Sequence, residues 1–109
     1  MFGKPKLKEL SPLEVHEGLA SGRYILVDVR EAAEHAAERI QGAHLFPLSC
    51  FDPAALPDAG GKAIVFQCGS GKRSAMAVEK CRKAGLKHDC HMTGGIGAWK
   101  GQGLPTLRG

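Results

Sequence analysis

No stretch of this chain approaches the roughly 18 consecutive apolar residues that a membrane-crossing helix needs, and no two cysteines stand in C-x-x-C spacing. The first absence excludes a helical membrane protein. The opening Met1-Phe2-Gly3-Lys4-Pro5-Lys6 leads into no apolar signal core, so the cytoplasm is the expected location. In that reducing setting Cys50, Cys68, Cys81 and Cys90 are expected as free thiols rather than a disulfide framework. His88, Cys90 and His91 lie close together but lack paired metal-ligand spacing, so no structural metal is expected. Aromatic residues make up only 6% and do not interleave with the basic ones, which argues against a base-stacking nucleic-acid surface. Acids are outnumbered, 11 against 15 Lys and Arg, leaving a net charge of +4. That balance favours anionic partners, small oxyanions among them.

What is present reads as an ordinary globular domain. With 109 residues, 43% of them hydrophobic and 24% charged, the chain suits one domain spanning 1–109. Ser11-Pro12-Leu13-Glu14 carries a capping-box start, predicting a helix that ends near Gly22. Tyr24 to Val29 and Lys62 to Gln67 are short, nearly continuous apolar runs, as in strands covered on both faces. Between them, Glu31 to Arg39 predicts a helix stopped by Gly42, Ala43 to Phe46 a short strand, and Phe51 to Leu56 a short helix begun by Asp52 and Pro53. Ser74 to Ala84 predicts a helix closed by Gly85, with Ala75, Val78, Ala84 and Cys81 inward. Asp89 to Met92 is a last strand, and Gly94 to Trp99 a turn into a short helix. Such alternation predicts a mostly parallel sheet with helices on both faces and a ligand site beyond the carboxyl ends of the strands.

The segment Cys68-Gly69-Ser70-Gly71-Lys72-Arg73 falls at that place, between the strand ending at Gln67 and the helix expected from Ser74. A thiol reacts as the thiolate, which a helix amino end, converging N–H groups and nearby cations all stabilise. Gly69 and Gly71 allow an inward-facing nest of N–H groups, and Lys72 and Arg73 add positive charge. Cys68 is therefore the expected nucleophile. A buried strand-end cysteine before a glycine-rich turn is the plainer alternative.

Cys68 to Ser74 resembles the active-site loop of rhodanese domains, a cysteine followed by a six-residue cradle ahead of a helix. Asp28-Val29-Arg30-Glu31 with Arg39-Ile40-Gln41-Gly42-Ala43 is similar to the family's first signature, with Glu38-Arg39 standing for glycine-histidine and Gln41 for proline. Gly94-Gly95-Ile96-Gly97-Ala98-Trp99 with Gly103-Leu104-Pro105 resembles its closing signature. The three motifs keep their order over about residues 7–107. The resemblance implies a three-layer α/β/α fold on a five-stranded sheet, and a sulfurtransferase needing no cofactor. In it Cys68 would carry sulfur from a small anionic donor such as thiosulfate to cyanide or a thiol. Gly69, Ser70, Gly71, Lys72, Arg73 and Ser74 would bind the persulfide, and a sulfur-relay protein could serve as partner. A persulfide carrier is the alternative. Cysteine phosphatases and arsenate reductases share the fold, but the phosphatase signature has five residues before its arginine, and only four separate Cys68 from Arg73.

Other polar residues read more simply. Asp28 and Arg30, at a strand end, are expected to hold the next loop. His35 is expected on the surface, Cys81 and Met92 in the core, Trp99 and Ile96 between last helix and sheet, and Phe51 beside the site. Lys80, Arg82, Lys83 and Lys87 are expected as a solvated face, with neither nucleic acid nor membrane as partner.

Overall fold

The computed structural model describes residues 7–109, so the opening segment 1–6, read above for a signal core, lies outside the described residues. Strand β1 (Lys8–Leu10) leads into α1 (Pro12–Ala20), where the expected capping box forms: the Glu14 N–H donates to Ser11 Oγ at 3.1 Å and the Ser11 N–H to Glu14 Oε1 at 2.9 Å. Next come β2 (Tyr24–Asp28), α2 (Ala32–Ala37), β3 (Glu38–Arg39) and β4 (His44–Leu45). Two 3-10 turns, Leu48–Cys50 and Pro53–Ala55, precede β5 (Ala63–Gln67) and α3 (Lys72–Lys83). The chain ends through β6 (Cys90–Met92), α4 (Gly95–Gly101) and β7 (Leu107–Arg108).

Five strands form one all-parallel sheet in the order β1-β6-β5-β2-β4. The two apolar runs lie side by side at its centre, in register from Tyr24 opposite Ala63 to Asp28 opposite Gln67. Alternation along each strand divides the core between two faces. Leu26, Val65, Met92, Ile96 and Trp99 pack on one, and Val27, Val29, Ile64, Phe66, Ala77 and Cys81 on the other. From β2 the sheet grows one way to β4, and from β5 the other way to β6. The switch point between β2 and β5 thus opens at their carboxyl ends, one residue short of Cys68.

Three expectations are corrected. The helix expected over 31–39 stops at Ala37, because Glu38 turns extended (φ −159°, ψ 135°) and its short strand pairs antiparallel with β7. The helix expected from Ser74 begins at Lys72, so Lys72 and Arg73 form its first turn. With that phase its buried stripe is Ser74, Ala77 and Cys81, while Ala84 beyond the last turn is exposed.

Candidate functional site

The backbone between β5 and α3 wraps around a single sulfur. Gly71 takes the left-handed conformation (φ 107°) that glycine adopts without penalty, and this turns its N–H inward to donate to Cys68 Sγ at 3.0 Å. The Ser74 N–H donates to the same atom at 3.4 Å, and Ser74 Oγ lies 3.7 Å from it. Cys68 itself is fully buried. Burial pushes the thiol pKa up, but the N–H and hydroxyl of Ser74 and the N–H groups of Gly71 and Ser70 outweigh it and hold Cys68 below the ordinary cysteine value. Four donors thus define a pre-formed pocket for negative charge on sulfur.

The loop is braced from outside by the closing glycine motif. The Ile96 N–H donates to the Cys68 carbonyl at 2.8 Å and the Gly97 N–H to the Gly69 carbonyl at 3.2 Å. Gly95 permits this approach, since a Cβ there would stand 2.0 Å from the Cys68 carbonyl oxygen, and its φ of +60° is itself strained for other residues. The amino end of α4 therefore fixes the carbonyls of Cys68 and Gly69 while the loop's N–H groups point to Sγ.

The two cations part company. Lys72 is exposed at the first position of α3. Arg73 folds back over Gly69, and both ends of its guanidinium donate to Glu34, at 2.7 and 3.0 Å. Beside that guanidinium Glu34 is held down to about 2. Arg73 thus clamps the loop to α2 rather than presenting an empty fork.

At the end of β2, the Asp28 carboxylate accepts from the backbone N–H and guanidinium of Arg30, which also donates to the Glu38 carbonyl at 2.7 Å. His35, expected on the surface, is instead part of this knot, its Nδ1 2.9 Å from Asp28 Oδ2. His35 lies on the half-buried side of α2, the side that meets the end of β2. Phe51 packs edge-on to Phe66, with ring centroids 5.7 Å apart.

Sequence reasoning missed Glu34 and His91. Glu34 meets Arg73 from 39 residues away, and nothing local announces it. His91 did carry a signal, a polar residue at the centre of the strand Cys90-His91-Met92, and its Nδ1 lies 2.8 Å from Ser74 Oγ. Among the described residues no three His, Cys, Asp or Glu side chains converge as a metal site, and no helix is long and apolar enough to cross a membrane. A cavity of about 590 Å³ bordered by Leu7, Val78, Leu86 and His88 does not include Cys68. The converging donors surround Cys68 at a distance from that hollow.

A cysteine cradled by backbone N–H groups at the switch point of an all-parallel sheet defines the class, an α/β domain with its site at the carboxyl ends of the strands. The chain belongs to the rhodanese-like domain family, which matches residues 11–102. It is 46% identical over 84 residues, 77% of this chain and 47% of the other, to an uncharacterised protein of Synechocystis sp.. It is 37% identical over 103 residues to the probable adenylyltransferase/sulfurtransferase MoeZ of Mycobacterium tuberculosis, covering 90% of this chain and 26% of that one. The chain thus spans less than half the length of either relative. Among solved structures, a rhodanese-related protein of Thermoplasma volcanium superposes with a TM-score of 0.78 at 27% identity, over 92% of this chain and 97% of that one.

Proposed function

We propose that this domain is a sulfurtransferase that moves a sulfane sulfur through a persulfide on Cys68. The observation that supports it is the convergence of the Ser70, Gly71 and Ser74 N–H groups and the Ser74 hydroxyl on one buried Sγ. Such a pocket suits a thiolate before transfer and a persulfide anion after it. The Cys68 thiolate attacks the outer sulfur of thiosulfate, the Cys68 Sγ–S bond forms, and the S–S bond of the donor breaks to release sulfite with the bonding pair. Cyanide or a thiolate then attacks the terminal sulfur, and Cys68 leaves as thiolate. No organic or metal cofactor enters the scheme, and it needs neither nucleic acid nor membrane. Lys72, free at the mouth of the loop, attracts the donor dianion. Arg73 keeps the cradle closed through Glu34. A reducing cytoplasm suits a protein whose thiols are all free.

Cys68-dependent formation of thiocyanate from thiosulfate and cyanide tests the proposal. Failure to form thiocyanate, with Cys68 intact, would remove the thiosulfate reading. A second reading, a persulfide carrier for a partner protein, is favoured by the likeness to a protein named for adenylyl transfer and sulfur transfer together. Sulfur loading from a cysteine desulfurase, faster than from thiosulfate, would select it. Phosphoryl transfer is disfavoured, because the ring before Arg73 is short and its fork is already taken by Glu34.

A further inference from the structure

His91 is almost wholly buried, with 5% of its side chain exposed, yet it sits in the centre of β6 where an apolar residue would cost nothing. Its neighbours on each packed element are Phe66 across the ladder on β5, Ser74 on α3, and Glu9 across the ladder on β1. Nδ1 lies 2.8 Å from Ser74 Oγ, while Nε2 is buried without a hydrogen bond, its nearest charged atom being Glu9 Oε2 at 3.6 Å. Ser74 Oγ in turn lies 3.7 Å from Cys68 Sγ, and its one proton has two acceptors in reach, the Gly71 carbonyl at 3.1 Å and the nearer His91 Nδ1.

We propose that His91 is a positioning residue for Cys68 that takes up the thiol proton through the Ser74 hydroxyl. In the resting form the Cys68 S–H donates to Ser74 Oγ, whose own proton donates to His91 Nδ1. On ionisation the thiol proton passes to Ser74 Oγ as the Ser74 proton passes to Nδ1. One S–H bond breaks, one N–H bond forms, and the hydroxyl is restored. The hydroxyl now donates to the thiolate and accepts from Nδ1–H. With Nδ1 accepting, neutral His91 already carries its proton on Nε2 on the side of the Glu9 carboxylate, so the imidazolium formed at Nδ1 has a counter-charge 3.6 Å from its other nitrogen. The ion pair is thus complete inside the protein, with the cation separated from the sulfur by one hydroxyl.

This rests on the reading of Cys68 as a nucleophilic thiolate, but its test does not depend on sulfur transfer. The Cys68 titration is followed by thiolate ultraviolet absorbance in the 109-residue chain carrying Cys50→Ser, Cys81→Ala and Cys90→Ala, with Cys68→Ser as the blank. His91→Leu is expected to raise the midpoint by about one pH unit, a roughly tenfold loss of thiolate near neutral pH. His91→Gln, which keeps polarity but no basic nitrogen, is expected to do the same and serves if the Leu variant does not fold. In a Ser74→Ala background the His91 substitution is expected to add no further change, because the route is gone. An unmoved midpoint in both His91 variants overturns the inference, as does an equal effect with and without Ser74. Sulfur loading is measured separately by intact mass, so loss of the sulfurtransferase reading with a shifted midpoint leaves the His91 assignment standing.

Discussion

Cys68 and Cys81 are both fully buried and pack in the same apolar cluster, yet their thiols are driven in opposite directions. Cys81, on the inner stripe of α3, has burial alone acting on it and is pushed up to about 11. Cys90 behaves likewise, raised to about 11 by burial and by the neighbouring Asp89. Cys68 feels the same desolvation but sits where N–H groups at the start of α3 have no helical carbonyl to bond. Burial therefore does not decide which way a thiol is driven here. The unspent donors of a helix start do.

The strongest way to break that contrast is to disturb the brace that aims the donors. Gly95→Ala introduces a Cβ against the Cys68 carbonyl at a strained φ, and we expect a loss of about 3 kcal/mol in urea unfolding. Thiocyanate formation is expected to fall with it, since the loop must move. Cys81→Ala, in the same cluster but away from the donors, is expected to cost about 1 kcal/mol by the same measurement and to leave sulfur loading intact. Equal loss of activity in both variants would mean that the core as a whole, not the brace, governs the loop.

The contrast is sharpened along α3 itself. Lys72→Ala, at the mouth of the loop, is expected to lower kcat/KM for thiosulfate about fivefold, of order 1 kcal/mol for an exposed cation, with the difference shrinking in salt. Lys83→Ala, at the far end of the same helix, is expected to change nothing. Steady-state kinetics at low and high ionic strength decide this.

The smallest effect concerns the clamp. Because the folded pKa of Glu34 is depressed from 4.5 to about 2, chiefly by Arg73, its stabilisation is fully present above pH 4.5 and is lost as the pH falls toward 2. Both side chains are partly exposed, Glu34 by 40% and Arg73 by 34%, so solvent screening limits the contribution to about 0.5 kcal/mol. Glu34→Gln is expected to flatten the acid limb of the stability curve over that window. An unchanged slope would show that the clamp carries no folded-state energy.

Much of this was legible in the sequence because it is local. The capping box of α1 joins residues three apart, and the central strands announce themselves by continuous apolar runs. The glycine-rich turn after Gln67 marks the cradle for the same reason. β1 was not foreseen, since Lys8-Glu9-Leu10 buries only its last residue and owes its place to pairing with β6. The two-residue β3 and β7 exist only because the chain end returns to Glu38. The sequence shows Arg73 only as a cation of the loop because its carboxylate partner lies in α2, and Ser74's link to His91 depends on strand β6 arriving beside α3. Chemistry carried by one loop can be read in order along the chain. Chemistry that two distant elements share cannot.

Whether Cys68 alone among the four cysteines carries transferable sulfur is decided by intact mass after incubation with thiosulfate. A sulfurtransferase acting through Cys68 gains one sulfur atom, removed by cyanide, absent in Cys68→Ser and kept in Cys50→Ser, Cys81→Ser and Cys90→Ser. An adduct that survives Cys68→Ser, or that requires Cys81 or Cys90, would contradict it.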